Sequence, residues 1–330
     1  MPERDELFFK RKNAYDVVSE EEAQRAYDYA EEYKKYLDEA KTERKAVQAA
    51  LRLARERGFV PYEPGMALSP GTKVYKTVEG KAVMLAILGK KPLSEGVNIC
   101  AAHIDAPRLD LKQVPLYEDT ELALFKTHYY GGIKKYQWVT IPLALHGVVV
   151  RKDGEVIDVS IGDLPGDPVF TITDLLPHLD KDQAKKTLGE AFSGENLNIL
   201  AGSRPYGEEK DSERVKHMVL RLLYDRYGMT EEDFLSAELE AVPAGRARDL
   251  GLDRSMILAY GQDDRSCAFA ALRAILDMET PEKTAVCVLA DKEEIGSDGV
   301  TGMQSAAFET FMSDLCKAQD VSLNHCFEKS

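Results

Sequence analysis

The chain has 330 residues, 44% of them hydrophobic and 30% charged, and 57 acidic against 43 basic side chains leave a net charge of -14. That length suggests two cores, or one core carrying a large insertion. The acidic balance and the short, mixed basic stretches argue against nucleic acid, which demands clustered Lys and Arg, and no apolar run reaches the roughly 18 to 20 residues of a membrane span.

The N-terminal MPERDELFFKRKNAYDVVSEEEAQ has no apolar h-region or small-residue cleavage site, so the expected location is the cytoplasm. Five cysteines form no CxxC and read as reduced thiols; Cys100 and Cys287 lie in apolar runs, where cysteine acts as a small hydrophobe. From about Glu20 to Gly58, residues such as Ala26, Ala30, Tyr33 and Leu37 recur at three- and four-residue spacing, which predicts one long helix or two in tandem. Ser19 and Glu22 have capping-box spacing, and Gly58 marks the stop.

KAVMLAILG (Lys81 to Gly89) and VNICAAHID (Val97 to Asp105) then read as buried strands. Between about Leu111 and Gly245 a β-rich composition predicts an insertion, with a type I′ hairpin at Asp153-Gly154 and one helix from Ser212 ending at Gly228. From Ser255 the alternation of strand and helix resumes: a strand at Met256 to Tyr260, a helix near Cys267 to Met278, a strand at Ala285 to Ala290, and a helix near Gln304 to Cys316. This βαβα order favours a parallel sheet covered on both faces, in a discontinuous α/β domain with an inserted subdomain.

Ligands of open α/β sheets bind at the carboxyl ends of strands. Three strand-like runs end in charge there: Val97 to Ala102 before His103 and Asp105, Met256 to Tyr260 before Asp263, Asp264 and Arg265, and Ala285 to Ala290 before Glu293 and Glu294. Taken singly, these are a satisfied core histidine, a helix N-cap and a solvated charge pair. Taken together at one sheet edge, they supply imidazole and carboxylate ligands for metal, with Asp105 able to fix the His103 tautomer. A bridging carboxylate between a His and a Glu points to two ions about 3.5 to 4 Å apart, as in dinuclear hydrolases, and one glutamate of the pair is free to move protons.

AAHIDAPRLDLK, YYGGI (Tyr129 to Ile133), LLPHL (Leu175 to Leu179), LNILAGSRP, QDDRSC and DKEEIGSDGVTGMQS occur in the order seen in a known family. From about Asn13 onward the sequence resembles the aspartyl aminopeptidase and vacuolar aminopeptidase I family of dinuclear zinc aminopeptidases. The resemblance implies an α/β, zinc-peptidase-like mixed sheet flanked by helices (residues 1–110 and 246–330) and an inserted β-rich dimerisation domain (111–245). It implies removal of the N-terminal residue from unblocked peptides, with two divalent ions, zinc or else cobalt or manganese, and a homo-oligomer, a dodecamer built from dimers. By matching motif, His103 ligates one ion, Asp263 bridges, Glu294 ligates the second, Glu293 is the general base, Asp105 orients His103, and His178 reaches a neighbouring subunit's site.

The family carries a further Asp ligand and a final His ligand downstream of the paired glutamates, and no matching segment follows Glu294 here. Asp320 and His325 are the only local candidates to replace them, but no apolar strand precedes Asp320, so neither is expected to ligate. Two protein ligands per ion fall short of the usual three, so the expectation is a truncated form with weak metal binding and little activity. A related deacylase or glutamyl aminopeptidase-like hydrolase shares the His, Asp and Glu-Glu pattern, and a non-enzymatic assembly subunit is the remaining alternative.

Overall fold

A computed structural model describes residues 7–330; the first six residues of the expected 1–110 segment, and of the N-terminal stretch read for a signal, lie outside it. Helix α1 (Glu20–Glu39) starts at the Ser19–Glu22 capping box, and α2 (Glu43–Glu56) starts at Thr42, so the helical stretch is two helices. Short strands β1 (Val60–Pro61), β2 (Lys73–Val78) and β3 (Ala82–Ile87) lead to β4 (Val97–His103). The insertion holds β5 (Arg108–Asp119), β6 (Leu122–Tyr130), β7 (Leu143–Val150), β8 (Val156–Ile161), the single turn α3 (Leu188–Ala191), β9 (Ile199–Gly202), α4 (Arg214–Tyr227) and β10 (Ala237–Pro243). The chain returns through β11 (Arg248–Leu250), β12 (Met256–Leu258), α5 (Gln262–Leu276), β13 (Thr284–Ala290), α6 (Ala307–Lys317) and α7 (Leu323–Glu328).

The first sheet has the order β1-β2-β3-β13-β4 and is mixed: β4 runs parallel to β13 and β1 to β2, while β2-β3 and β3-β13 are antiparallel. The fully parallel sheet expected from βαβα order is therefore not formed, because β2 and β3 are joined by a tight turn that only an antiparallel pair accepts. Period-two alternation divides the core. Leu85, Ile87, Cys287 and Leu289 face α1, α2 and α5, where Phe269 packs against Tyr33 and Tyr36, whereas Met84, Ala86, Val286 and Val288 face Phe311, Met312 and Leu315 of α6. At the edge, residues 98–101 of β4 are exposed, which corrects the expectation of a buried Cys100; Cys287, on central β13, is buried as expected.

The second sheet, β8-β7-β10-β5-β6-β9, is antiparallel, with Val215, Val219 and Leu223 of α4 in its core. Between β7 and β8, Gly154 has φ 86° but Asp153 does not have positive φ, so the turn is not the expected type I′; it is a wider loop in which Arg151 N donates to Glu155 O. Strand β12 pairs only with β11, apart from the first sheet, so the strand end predicted at Met256 to Tyr260 is a hairpin end. An ionic network joins α2 to the second sheet: buried Arg108 faces Glu43 (3.5 Å), Glu240 (3.3 Å) and Asp110 (2.8 Å), and Lys81 pairs with Glu43 and Glu238. Among the described residues no helix is long and apolar enough to cross a membrane.

Candidate metal centre

Because β4 and β13 are parallel and His103 stands opposite Ala290, the two strands end level and their following loops fall together. Ile104 N donates to Ala290 O (2.8 Å), which continues the pairing past the strand end. His103 is buried there, with Nδ1 3.0 Å from the Asp105 carbonyl oxygen and 3.2 Å from Asp105 Oδ1. Its Nε2 faces Asp263 Oδ1 at 3.2 Å and Glu293 Oε2 at 3.6 Å. Burial opposes a charge on His103, but the hydrogen bonds and charge of Asp105, with Glu293, outweigh it and lift the imidazole to about 9.

Asp105 is fully buried and richly supplied with donors. Tyr130 Oη donates to Oδ2 at 2.7 Å, and the backbone N–H groups of Glu293 and Glu294 donate at 3.2 Å each. Burial alone would raise the Asp105 carboxyl; His103, Tyr130 and the backbone donors together hold it below the ordinary value. The paired glutamates are thus placed by the carboxylate that also orients His103. The Glu294 carboxyl is raised, first by burial and then by the Asp105 charge.

Tyr130 is the contributor that sequence reasoning missed. It lies inside YYGGI, a mark of resemblance with no signal that its hydroxyl would meet Asp105, because β6 belongs to the other sheet. The Arg108 guanidinium covers its ring at 3.8 Å. The next residue, Gly131, has φ 75°, and a Cβ there would come within 3.1 Å of Glu294 Oε2, so glycine leaves the space that the Glu294 side chain fills.

Asp263 arrives from the start of α5, where it has non-helical φ -87° and ψ 110° and an exposed carboxylate. Arg265, predicted as part of a polar cluster, is buried instead: its Nε donates to the Ile104 carbonyl (3.1 Å), tying α5 to the end of β4. A side chain at Gly261 would collide with that guanidinium.

His103, Asp105, Asp263 and Glu293 are therefore brought together, with Glu294 beside them. His178 lies on an exposed turn, with no hydrogen bond to this group among the described residues. Asp320 and His325 belong to the opposite end of the sheet: Ser330 Oγ accepts from Val97 N at the start of β4, Gln319 Oε1 accepts from Leu93 N, and His325 faces Glu328 at 4.0 Å. Six residues of strand, roughly 20 Å, separate Val97 from His103, so neither is a local substitute ligand.

An imidazole whose Nδ1 is held by carbonyl and carboxylate, with Nε2 turned toward carboxylates, suits zinc, and the residues present fit a divalent ion. A second carboxylate group, Glu43, Glu238 and Glu240, is tighter, with ligand atoms within 4.8 Å, but Lys81, Arg44 and Arg108 already neutralise it.

The profile of the family described as aminopeptidase I zinc metalloprotease (M18) matches residues 36–329. A probable M18 family aminopeptidase 1 of Clostridium acetobutylicum is 47% identical over 314 residues, 94% of this chain and 68% of that protein. The crystal structure of an M18 aminopeptidase from Thermotoga maritima superimposes with TM-score 0.91 at 47% identity, over 98% of this chain and 71% of the other. An S. cerevisiae protein solved as a dodecamer shares the fold, with TM-score 0.73 at 22% identity over 93% of this chain and 70% of the other. The chain spans about two-thirds of the length of the curated relatives it matches.

Proposed function

The chain belongs to the aminopeptidase I zinc metalloprotease family, M18, and from that membership we propose that it removes N-terminal residues from unblocked peptides at the His103 centre. The family match favours this activity over a deacylase or a non-enzymatic scaffold. The carrying observation is the convergence of His103 Nε2, Asp263 and Glu293 over a buried, four-donor Asp105.

His103, Asp263 and Glu294 would hold two divalent ions, zinc in preference to cobalt or manganese. Bound there, such ions supply Lewis acidity and acidify water. Asp105 keeps the His103 Nδ1 proton engaged, which leaves Nε2 as the ligand atom. Glu293, with an exposed side chain, takes the proton of the attacking water and returns it to the leaving amine. Residues 111–245 form the dimerisation domain of a homo-oligomer, a reading supported by the dodecamer of the yeast protein that shares the fold, while 1–110 and 246–330 carry the peptidase site; the chain acts in the cytoplasm. The exposed His178 reaches the site of a neighbouring subunit.

Zinc titration and aminoacyl-anilide hydrolysis test this reading. Glu293→Gln should retain zinc and lose roughly 10²- to 10⁴-fold in rate, whereas His103→Ala should lose zinc. A chain that takes up no zinc, or a Glu293→Gln variant as fast as the parent, would overturn it.

A further inference from the structure

Where α1 and α2 meet the β7-β8 hairpin, a cavity of about 390 Å³ is lined by Lys41, Lys45, Gln48, His146, Ser160 and Asp163, among others. Lys41 is 4% exposed and Lys45 is half-buried, yet neither forms an ion pair with a carboxylate among the described residues. Lys41 Nζ donates to the Gly245 carbonyl, and Lys45 Nζ contacts His146 Nδ1 at 2.7 Å and Ser160 Oγ at 3.2 Å. All of these partners are neutral acceptors when His146 carries its proton on Nε2, and Nε2 meets Asp163 Oδ2 at 2.7 Å.

The acids around the cavity are already engaged. Asp163 takes His146 and, through Oδ1, Gly245 N at 3.1 Å; Asp38 takes Ala247 N at 2.7 Å; Glu39 takes Arg52 at 2.8 Å. The charges of Asp163 and Asp38 near Lys41, and of Asp158 and Asp163 near Lys45, offset the withdrawal of these two ammonium groups from water only in part, and an anion in the cavity would complete the balance. Burial lowers both lysines from the ordinary value, and the neighbouring carboxylates do not fully restore them.

We propose that this cavity is a binding site for a small anion of the phosphate or carboxylate type, held by Lys41 and Lys45 with the Ser160 hydroxyl, that bridges α2 to the β7-β8 hairpin. The ligand contacts both parts of the molecule, so it fastens the second sheet to the helical layer of the first. The position owes nothing to His103, and the ligand is distinct from a peptide substrate.

Thermal unfolding of the whole chain in inorganic phosphate or citrate, against chloride at equal ionic strength, tests the site. A saturable rise of roughly 2 °C or more is expected with one of the two anions, and which anion acts identifies the source chemistry. In Lys45→Met the apparent affinity should fall about 10-fold or more. Gln48 is exposed on α2, so Gln48→Glu keeps the fold while placing a carboxylate beside the lysines, and it should abolish the response. No saturable shift with either anion, a shift matched by chloride, or an unchanged response in Gln48→Glu would overturn the proposal.

Discussion

Tyr130→Phe removes one hydroxyl and nothing else, and its consequence follows from the surroundings of Asp105. The hydroxyl lies 2.7 Å from a fully buried carboxylate, so the bond is charge-assisted, of a kind that contributes roughly 1.5–3 kcal/mol. Three donors remain, His103 Nδ1 and the N–H groups of Glu293 and Glu294, which places the cost near the lower end, about 1.5 kcal/mol. Part of that loss falls on the metal-free fold. The rest falls on zinc, because a less constrained Asp105 holds the His103 ring less firmly, and such supporting bonds carry about 10- to 100-fold in metal affinity. Competition titration against a chromophoric chelator should give a zinc Kd about 10-fold weaker than the parent's, and denaturant unfolding without metal should show a lower midpoint. Tyr129→Phe is the control, since Tyr129 is exposed and stacks on His128. Zinc affinity within twofold of the parent together with an unchanged metal-free midpoint would refute the placement of Tyr130 behind Asp105.

Arg108→Met should cost about 3–5 kcal/mol in denaturant unfolding, because it leaves buried Glu43 and Glu240 with Lys81 as the remaining close cation for Glu43. Adding Glu240→Gln should recover part of the loss, since burial already pushes the Glu240 carboxyl upward; a loss under about 1 kcal/mol would contradict a buried network. For His146, burial first, aided by the Lys45 charge, depresses the imidazole despite Asp163. The unfolded chain then binds its proton first as pH falls through about 6.5, so stability is full above that pH and declines below it. Urea midpoints at pH 7.5 and 5.5 should show this fall, smaller in His146→Gln, and an equal fall in both proteins would remove His146 from the account.

Local signals were the legible part of the sequence. The Ser19–Glu22 capping box, the glycine ending α4 at Gly228 and the apolar runs of the wholly buried β3 and β13 are written in consecutive residues, and each forms as expected. His103 and Glu293 were legible because a strand end announces itself within one segment. Strand partners were less so: periodicity identifies a strand without saying what lies beside it, which is why β12 stands apart from the sheet expected to hold it and why Cys100, in an apolar run, is exposed on an edge. Tyr130 and the Lys41–Lys45 cavity depend on contacts between separate sheets and helices, and no spacing rule encodes those.

Asp105 explains why the two sheets cannot be treated as independent parts. Its carboxylate holds His103 from β4, the turn after β13, and Tyr130 from β6, so one buried group joins the proposed metal centre to the second sheet. Tyr130 in turn lies under Arg108, and Arg108 reaches Glu43 on α2. The path from the helical layer to His103 therefore runs through buried, charge-assisted contacts rather than through an exposed linker. Groups in one such network respond together, so the effects of Arg108 and Tyr130 substitutions on zinc affinity are coupled rather than additive. The insertion thus supports the site from beneath and is not a module attached beside it.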